Sequence, residues 1–266
     1  MKMKRMIAML MAILMLAACG AMFASCSTTR TVTVGYTIYS PMNYRNAEGE
    51  LVGFDTELAQ AVFDELGYKV IFKEIKWENK YTELESGTIS CIWNGFTANT
   101  ADDDGVARAD KVDFSYNYMR NKQVIVVKSG TTVNSAADLA GTTGAVETGS
   151  AGEGFAEEAI SGANIKGVTK QTDALMEVKA GTAAFAVVDE QLAKSYCGKG
   201  DYGALEIVSA ISSNEEFYAI GFKKGSDLTK EVNKALIELA DNGTIDKLAK
   251  KYGLSSSAIT NFNSQK

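Results

Sequence analysis

Histidine is absent from this chain of 266 residues. Its absence removes the usual general base, the Ser-His and Cys-His nucleophile pairs, and the commonest metal ligand. Most hydrolase mechanisms are therefore excluded, although chemistry by carboxylate, lysine or tyrosine side chains stays open. We expect a protein that is not an enzyme and that uses no cofactor and no metal.

A surplus of basic residues is also missing. The chain has 33 acidic and 27 basic residues, a net charge of -6. Proteins that bind nucleic acid need a basic surface, because phosphate contacts supply most of their affinity. We therefore expect no nucleic-acid partner, and we expect small molecules and proteins instead.

Cysteine is scarce, and no CxxC pair occurs among the four cysteines. Neither a zinc knuckle nor a thioredoxin-like motif is supported. Cys91 and Cys197 lie far apart in the sequence, and we expect both to pack in the core as free thiols. A disulfide between them is the alternative that an extracytoplasmic location leaves open.

The only long apolar run near the N-terminus, residues 6–16, follows Lys2, Lys4 and Arg5 and leads into the string LAACG. A membrane-spanning helix needs about 20 apolar residues, so this run is too short. A basic start, a short apolar stretch and small residues indicate an export signal.

The string LAAC resembles a bacterial lipobox, in which the cysteine becomes the lipid-modified N-terminus. The resemblance implies that residues 1–18 are a lipoprotein signal peptide and that Cys19 carries the lipid. Residues 19–30 would then form a tether to the extracytoplasmic face of the cell membrane. Cys26 is a rival anchor, but Phe23 occupies the position where a lipobox has leucine.

The string GFDTELAQAVFDELGY predicts a helix. Asp55 is a candidate N-cap, apolar residues recur at helical spacing from Leu58 to Leu66, and Gly67 supplies the stop. Strand-like stretches such as VIVV and AAFAVV then alternate with helical stretches such as TDALMEVKAG. This alternation indicates an α/β protein with largely parallel sheets, and the length favours two lobes of about a hundred residues each.

Seven strings occur in an order that resembles the polar amino-acid-binding proteins of bacterial ABC importers. They are YSP followed by GELVGFD, then CIWNGFT, ARADKVDFS, ETGSAGEGF, GTAAFAVVDE and DNGTIDKLAKKYG. The resemblance implies the two-lobed type II periplasmic-binding fold, with crossovers near residues 121–124 and 213–217. Residues 31–121 and 216–266 would form lobe 1, and residues 122–215 would form lobe 2. The protein would work as a monomer that delivers an amino acid to the permease.

The resemblance also implies a ligand site in the cleft. A buried zwitterion needs both of its charges matched. Arg108 matches the residue that clamps the ligand carboxylate, for which a guanidinium fork is suited. Thr97 matches a hydroxyl and backbone position that binds the same group, and Gly95 would let the backbone approach the ligand.

Five further residues complete the expected site. Gly149 and Ser150 open a helix whose N-terminus suits a carboxylate, and Ser150 is also a candidate N-cap. Asp189 ends an apolar strand and matches the carboxylate that receives the ligand ammonium, with helix capping as the alternative. Tyr39 and Trp93 are candidate aromatic walls, with core packing as the alternative.

The stretch ANTADDDGVA between Thr97 and Arg108 is longer than the pattern allows. A direct alignment places the acidic triplet of residues 102–104 where the clamping arginine belongs, so we invoke an insertion. If Arg108 points away from the cleft, the ligand is an amine without a carboxylate. The triplet lacks the spacing of an EF-hand loop, so a solvated acidic loop is expected rather than a calcium site.

Two other functions remain as alternatives. A cyclic-acid dehydratase uses the same fold, with Glu147 or Asp189 as general acid, and fold alone does not decide function. The sensor domain of a receptor is disfavoured, because no membrane span or signalling domain follows residue 252. Thr37 lies near a position where relatives that bind cationic side chains carry an acid, which favours a neutral or acidic polar ligand.

Overall fold

The computed structural model describes residues 30–265. The predicted signal peptide, Cys19, Cys26 and most of the predicted tether lie outside the described residues. None of the helices in the described part has the length and apolar character needed to span a bilayer.

Fourteen strands occur between residues 30 and 265. In chain order they are β1 (Arg30–Tyr36), β2 (Tyr44–Arg45), β3 (Leu51–Val52), β4 (Tyr68–Glu74), β5 (Cys91–Ile92), β6 (Asp113–Phe114), β7 (Met119–Asn121), β8 (Gln123–Lys128), β9 (Thr143–Glu147), β10 (Asn164–Val168), β11 (Phe185–Asp189), β12 (Leu205–Ser212), β13 (Glu216–Tyr218) and β14 (Gly221–Phe222).

The same range holds eight α-helices and four short 3-10 helices. The α-helices are α1 (Phe54–Glu65), α2 (Lys80–Glu85), α3 (Arg108–Lys111), α4 (Ala151–Ala159), α5 (Gln171–Ala180), α6 (Glu190–Tyr196), α7 (Leu228–Asp241) and α8 (Thr244–Lys251). The 3-10 helices are Trp77–Asn79, Ala136–Leu139, Gly200–Tyr202 and Asn263–Gln265.

Two five-stranded sheets organise the protein as two lobes, as expected for the type II fold. The first lobe has the strand order β4-β1-β5-β14-β6, and the second has the order β10-β9-β11-β8-β12. The prediction of largely parallel sheets is only partly right. β14 pairs antiparallel with β5 and β6, and β8 pairs antiparallel with β11 and β12. Within these two sheets, β1 pairs parallel with β5, and β9 pairs parallel with β10 and β11.

The central strands β8 and β11 of the second sheet are buried on both faces, which explains their nearly continuous apolar sequences. Ile125 and Val127 of β8 face a cluster that includes Ala156 of α4. Val124 and Val126 of the same strand face the opposite cluster, which contains residues of α5. The helices α4 and α5 both pack on β9 and β11, so the ends of these two strands are held rigidly.

β7 and β13 form a two-stranded antiparallel pair where the chain passes between the two sheets. Asn121 pairs with Glu216, and Met119 pairs with Tyr218. β7 leads directly into β8 of the second sheet, and β13 leads back to β14 of the first. The two crossing segments therefore lie side by side.

Asp55 is not the N-cap that the sequence predicts. The cap position of α1 is Gly53, and Asp55 lies within the first turn with no exposed surface. Its Oδ2 accepts hydrogen bonds from the backbone N–H of Gly95 at 2.9 Å and from the hydroxyl of Tyr118 at 2.9 Å. The carboxylate of Asp55, which the sequence predicts as a helix cap, instead binds Gly95 and Tyr118, which are distant in sequence. These hydrogen bonds hold the loop after β5 against α1.

Both cysteines of the described range are free, as expected. Cys91 is buried in β5 and belongs to the core of the first lobe, whereas Cys197 is half-buried after α6. No disulfide therefore restrains the two sheets relative to each other.

Candidate functional site

An enclosed cavity lies where the ends of β5, β9 and β11 meet the loop around α3. Its free volume is about 10 Å³, which is room for about one water molecule. Polar and charged side chains dominate the wall. The lining residues are Trp77, Asn94, Gly95, Thr97, Arg108, Gln123, Glu147, Ser150, Ala151, Gln171 and Asp189.

Arg108 is buried at the wall of the cavity, with 1% of its surface exposed. Its Nε donates to Asp102 Oδ1 at 2.8 Å, and its two terminal nitrogens donate to the carbonyl oxygens of Thr97 and Gly149, each at 3.3 Å. The guanidinium also lies 5.3 Å from the ring centroid of Phe96. The guanidinium therefore points into the cleft, and residues 98–107 support it rather than displace it.

The acidic loop holds Arg108 through Asp102. A bridge between Ala101 and Ala107 closes the loop, and Asp102 accepts from Arg108, from Lys111 at 2.9 Å and from the hydroxyl of Tyr81 at 2.6 Å. Burial alone would raise the pKa of Asp102, but Arg108, Tyr81 and Lys111 outweigh it and hold the pKa below its usual range. The prediction that the acidic triplet is solvated is therefore wrong for Asp102, whose side chain is largely buried.

Lys80 is a second buried cation next to Arg108. Only 2% of its surface is exposed, and its Nζ donates to the carbonyl oxygen of Gly149 at 2.9 Å. The ammonium lies 4.7 Å from the ring centroid of Tyr81 and 5.2 Å from that of Trp77. Burial, and then the neighbouring Arg108, lower the pKa of Lys80 to about 8.

Asp189 is an acidic residue in the wall of the same cavity. Asn121 and Gln123 donate side-chain amide N–H groups to its Oδ1 at 2.6 and 2.7 Å, and Gln171 donates to its Oδ2. Burial raises the pKa of Asp189, and these amide donors oppose the rise. Although Asp189 directly precedes α6, its side chain makes no capping hydrogen bond.

Glu147 is the second carboxylate in the wall. It ends β9, is 3% exposed, and its Oε1 has no hydrogen-bond partner within the described part of the chain. Burial, and then the carboxylate of Asp189, raise the pKa of Glu147 to about 8, while Lys80 and Gln171 oppose the rise. Sequence interpretation considered Glu147 only as a general acid and missed it as a wall residue of a binding cavity.

Backbone and hydroxyl groups also contribute to the wall. Gly95 has a φ of 57°, and a Cβ there would collide with the hydroxyl of Tyr39. Thr97 is 2% exposed, and its hydroxyl donates to Glu216 at 3.2 Å. Ser150 is the N-cap of α4, as predicted, because its Oγ accepts from the backbone N–H of Glu153 at 3.2 Å.

Three expected site residues lie behind the wall rather than in it. Tyr39 is buried against Gly95, and Gly149 contributes its carbonyl to Lys80 and Arg108. Trp93 is completely buried in the core of the first lobe, with its ring 6.0 Å from that of Phe63. The cavity therefore brings together Gly95, Thr97, Arg108, Ser150 and Asp189 from the predicted set.

Half of the lining residues that the sequence did not predict as binding residues are amides. Asn94, Gln123 and Gln171 have no local motif, since each acquires its role from a partner far away in the sequence. Trp77 begins the 3-10 helix Trp77–Asn79, and Lys80 begins α2 directly after it. A lysine is normally exposed, so the burial of Lys80 could not be foreseen from sequence.

The cavity offers opposite charges and no metal-binding cluster. No group of three or more Cys, Asp or Glu side chains within residues 30–265 is arranged to hold a metal ion. The wall contains a buried guanidinium, that of Arg108, and the buried carboxyl groups of Glu147 and Asp189. Such a set is complementary to a small zwitterion, because each buried ligand charge can then meet a partner.

The comparisons with known proteins agree with this geometry. The model of the protein family described as bacterial extracellular solute-binding proteins, family 3, matches residues 32–255. Over 216 residues the chain is 30% identical to the arginine-binding extracellular protein ArtP of Bacillus subtilis, which covers 80% of this chain and 82% of ArtP.

Two further similarities extend over most of the described residues. The chain is 30% identical over 262 residues to the L-cystine-binding protein TcyA of Bacillus subtilis, covering 92% of this chain and 94% of TcyA. Among solved structures, an ancestral arginine-binding protein bound to arginine gives a TM-score of 0.76 at 32% identity. That match covers 84% of this chain and 97% of the ancestral protein.

Proposed function

The chain belongs to the bacterial extracellular solute-binding proteins of family 3, and we propose that it captures a polar amino acid and delivers it to the membrane subunits of an ABC importer. The relatives compared above carry the names of arginine- and cystine-binding proteins. Binding of an amino acid, without catalysis, is the function that these relatives support.

One observation carries the proposal: Arg108 and Asp189 line the same buried cavity. An α-carboxylate would bind Arg108, together with Thr97 and the N-terminus of α4 at Ser150. The α-ammonium would bind Asp189, whose amide neighbours already orient it. The position of Arg108 in the wall argues against the alternative of an amine without a carboxylate.

The small free volume supports a hinge mechanism. An amino acid does not fit into about 10 Å³, so a ligand enters only after the two lobes separate. We place the hinge at β7 and β13 and retain lobe boundaries of residues 31–121 with 216–266 and residues 122–215. The crossing of the chain at these two paired strands supports those boundaries.

The dehydratase alternative is not favoured. A general acid must reach the bond that breaks, and of its two candidates Asp189 is already engaged by three amide donors. Glu147 has a free oxygen, but the relatives that cover most of the chain are named as binding proteins. Catalysis therefore lacks a specific supporting observation.

We further propose that the mature protein is an extracytoplasmic lipoprotein. The string LAACG after a short apolar run supports signal cleavage before Cys19 and lipid attachment there. A monomer anchored in this way would remain close to the permease. Intact-mass measurement of membrane-extracted protein tests the anchor, and an unmodified N-terminal residue or a start at Cys26 would contradict it.

A thermal-unfolding panel tests the main proposal. The purified mature protein is mixed with each common amino acid, with cystine and with simple amines. A ligand present at 100 times its dissociation constant should stabilise the protein by about 2.7 kcal/mol. Stabilisation by amines alone would contradict the amino-acid proposal, and so would stabilisation by no compound.

A further inference from the structure

We propose that Glu147 makes the cavity selective for an amino acid whose side chain carries a positive charge. This inference rests on the proposed function, and it assigns the carboxylate that the zwitterion itself does not need. Three observations support it: the position of Glu147, the charges of the other wall residues, and the hydrogen bond that Lys80 already makes to Gly149.

Glu147 is placed to contact a ligand. It is the last residue of β9, next to β11, which ends at Asp189, and both side chains line the same cavity. Only 3% of its surface is exposed, and Oε1 lacks a hydrogen-bond partner within residues 30–265. A buried, unsatisfied carboxyl oxygen is costly, and a donor on the ligand would satisfy it.

Glu147 is the one acidic residue of the wall to which neither charge of the ligand backbone is assigned. Among the lining residues, Arg108 is the basic group and Asp189 and Glu147 are the acidic groups. The α-carboxylate and α-ammonium of any amino acid account for Arg108 and Asp189. A neutral side chain would leave Glu147 unpaired in the closed cleft, whereas a guanidinium or ammonium would pair with it.

Lys80 does not fill this role. It influences Glu147 electrostatically, but its Nζ donates to the carbonyl oxygen of Gly149, and its ammonium lies over the ring of Tyr81. No ion pair joins Lys80 to a carboxylate in the described residues, and Lys80 is outside the set of residues that line the cavity. Glu147 therefore retains capacity for a ligand cation.

Thr37 does not determine the charge of the ligand side chain. The hydroxyl of Thr37 donates to Asn94 Oδ1 at 2.6 Å, and Thr37 itself does not line the cavity. Glu147 of the second lobe can supply the negative charge for a cationic side chain that position 37 does not supply. We therefore propose a cationic ligand from Glu147 in the wall, in place of the neutral or acidic ligand that Thr37 suggested.

L-Arginine and L-citrulline separate charge from shape, because they differ mainly in a guanidinium against a neutral urea group. Calorimetric titration of the purified mature protein should give a dissociation constant about 10- to 100-fold lower for arginine, the range of a hydrogen bond to a charged group. Glu147→Gln has nearly the same shape and should remove this difference between the two ligands.

Two further variants serve as controls for Glu147→Gln. Glu157→Gln removes an exposed carboxylate from the same region and should leave both affinities unchanged. Glu147→Asp keeps the charge and should retain part of the arginine preference. Thermal unfolding of each variant verifies that it is folded.

Three outcomes would overturn the inference. The first is equal affinity of the wild-type protein for arginine and citrulline. The second is unchanged arginine affinity in folded Glu147→Gln. In both cases the proposed function stands, because amino acids still bind. The third, absence of binding by every amino acid in the panel, overturns the proposed function as well.

Discussion

Lys80 of the first lobe donates a hydrogen bond to the carbonyl oxygen of Gly149 in the second lobe, at 2.9 Å. The ammonium is almost completely buried, and Arg108 donates to the same oxygen at 3.3 Å. Two cations therefore share one neutral acceptor across the cleft. This contact stabilises the closed arrangement without a ligand charge.

Lys80→Met should shift the ligand-free protein towards an open cleft. A hydrogen bond from a charged donor contributes about 1.5 to 3 kcal/mol, so the ratio of open to closed molecules should rise about 10- to 100-fold. Small-angle scattering should show a larger radius of gyration. Lys76→Met is a matched control, because the Lys76 side chain is 64% exposed. An unchanged radius in Lys80→Met would show that the contact does not hold the cleft closed.

Arg108→Ala and Asp189→Asn should each weaken amino-acid binding about 100-fold, which corresponds to about 3 kcal/mol. Each change leaves one charge of the zwitterion unpaired in the closed cleft. Calorimetric titration measures both. If Asp189→Asn abolishes binding and Arg108→Ala binds like the wild type, an amine becomes the better ligand hypothesis.

Arg108→Ala also needs a control for stability, because its guanidinium pairs with the partly buried Asp102. The variant should unfold at a lower temperature than the wild type. Lys111→Ala removes the other cation that pairs with Asp102, and Lys111 is not in the wall of the cavity. It should lower stability while leaving affinity within about threefold.

The fold was predictable from sequence where periodicity and apolar runs are strong. The helix α1, the buried strands β8 and β11, and the two-lobed class are all confirmed by the structure. Asp55 was misassigned because its partners, Gly95 and Tyr118, are distant in sequence. Neighbouring residues in the sequence can predict a helix cap, whereas the burial of a carboxylate depends on distant residues that pack against it.

The candidate site was predictable only in part, for the same reason. Motif resemblance led to five wall residues, including Arg108 beyond an insertion. Lys80 and the amides of Gln123 and Gln171 have no sequence pattern, since ordinary positions become wall positions only when the two sheets meet. Trp93 shows the converse, because an aromatic next to Asn94 faces the core.

Asp55 should make stability depend on pH. Burial raises its pKa from 3.8 to about 7 in the folded protein. The folded state therefore binds more protons than the unfolded state, and the contribution present at low pH is lost as the pH rises through about 7. The free energy of unfolding should fall by up to about 1.4 kcal/mol per pH unit from this group.

Asp55→Asn should reduce that slope between pH 5 and 7.5, as measured by urea unfolding. Other buried acids with raised pKa, such as Glu147, leave a residual slope in the variant. Asp64→Asn changes an exposed carboxylate in the same helix and should keep the wild-type slope. Equal slopes in Asp55→Asn and the wild type would show that Asp55 is ionised in the folded protein.

Glu147 should also make the affinity for a cationic ligand depend on pH. In the closed cleft without ligand, burial and Asp189 raise its pKa to about 8, so in that arrangement the group is protonated at lower pH. A ligand cation favours the ionised form, and binding must then release the proton. Affinity for arginine should therefore rise with pH by up to about tenfold per unit below pH 8.

The groups that face Glu147 determine how this dependence is measured. Asp189 and Asp173 raise its pKa, whereas Lys80 and Gln171 lower it. Lys80 has its own pKa at about 8, so titrations belong between pH 5.5 and 7, where Lys80 is mostly protonated. In the proposed binding mode Asp189 binds the α-ammonium of every amino acid, and citrulline therefore provides the correct baseline. The slope for arginine should exceed the slope for citrulline in the wild type, and the two should coincide in Glu147→Gln. Parallel slopes in the wild type would mean that no ligand cation meets Glu147.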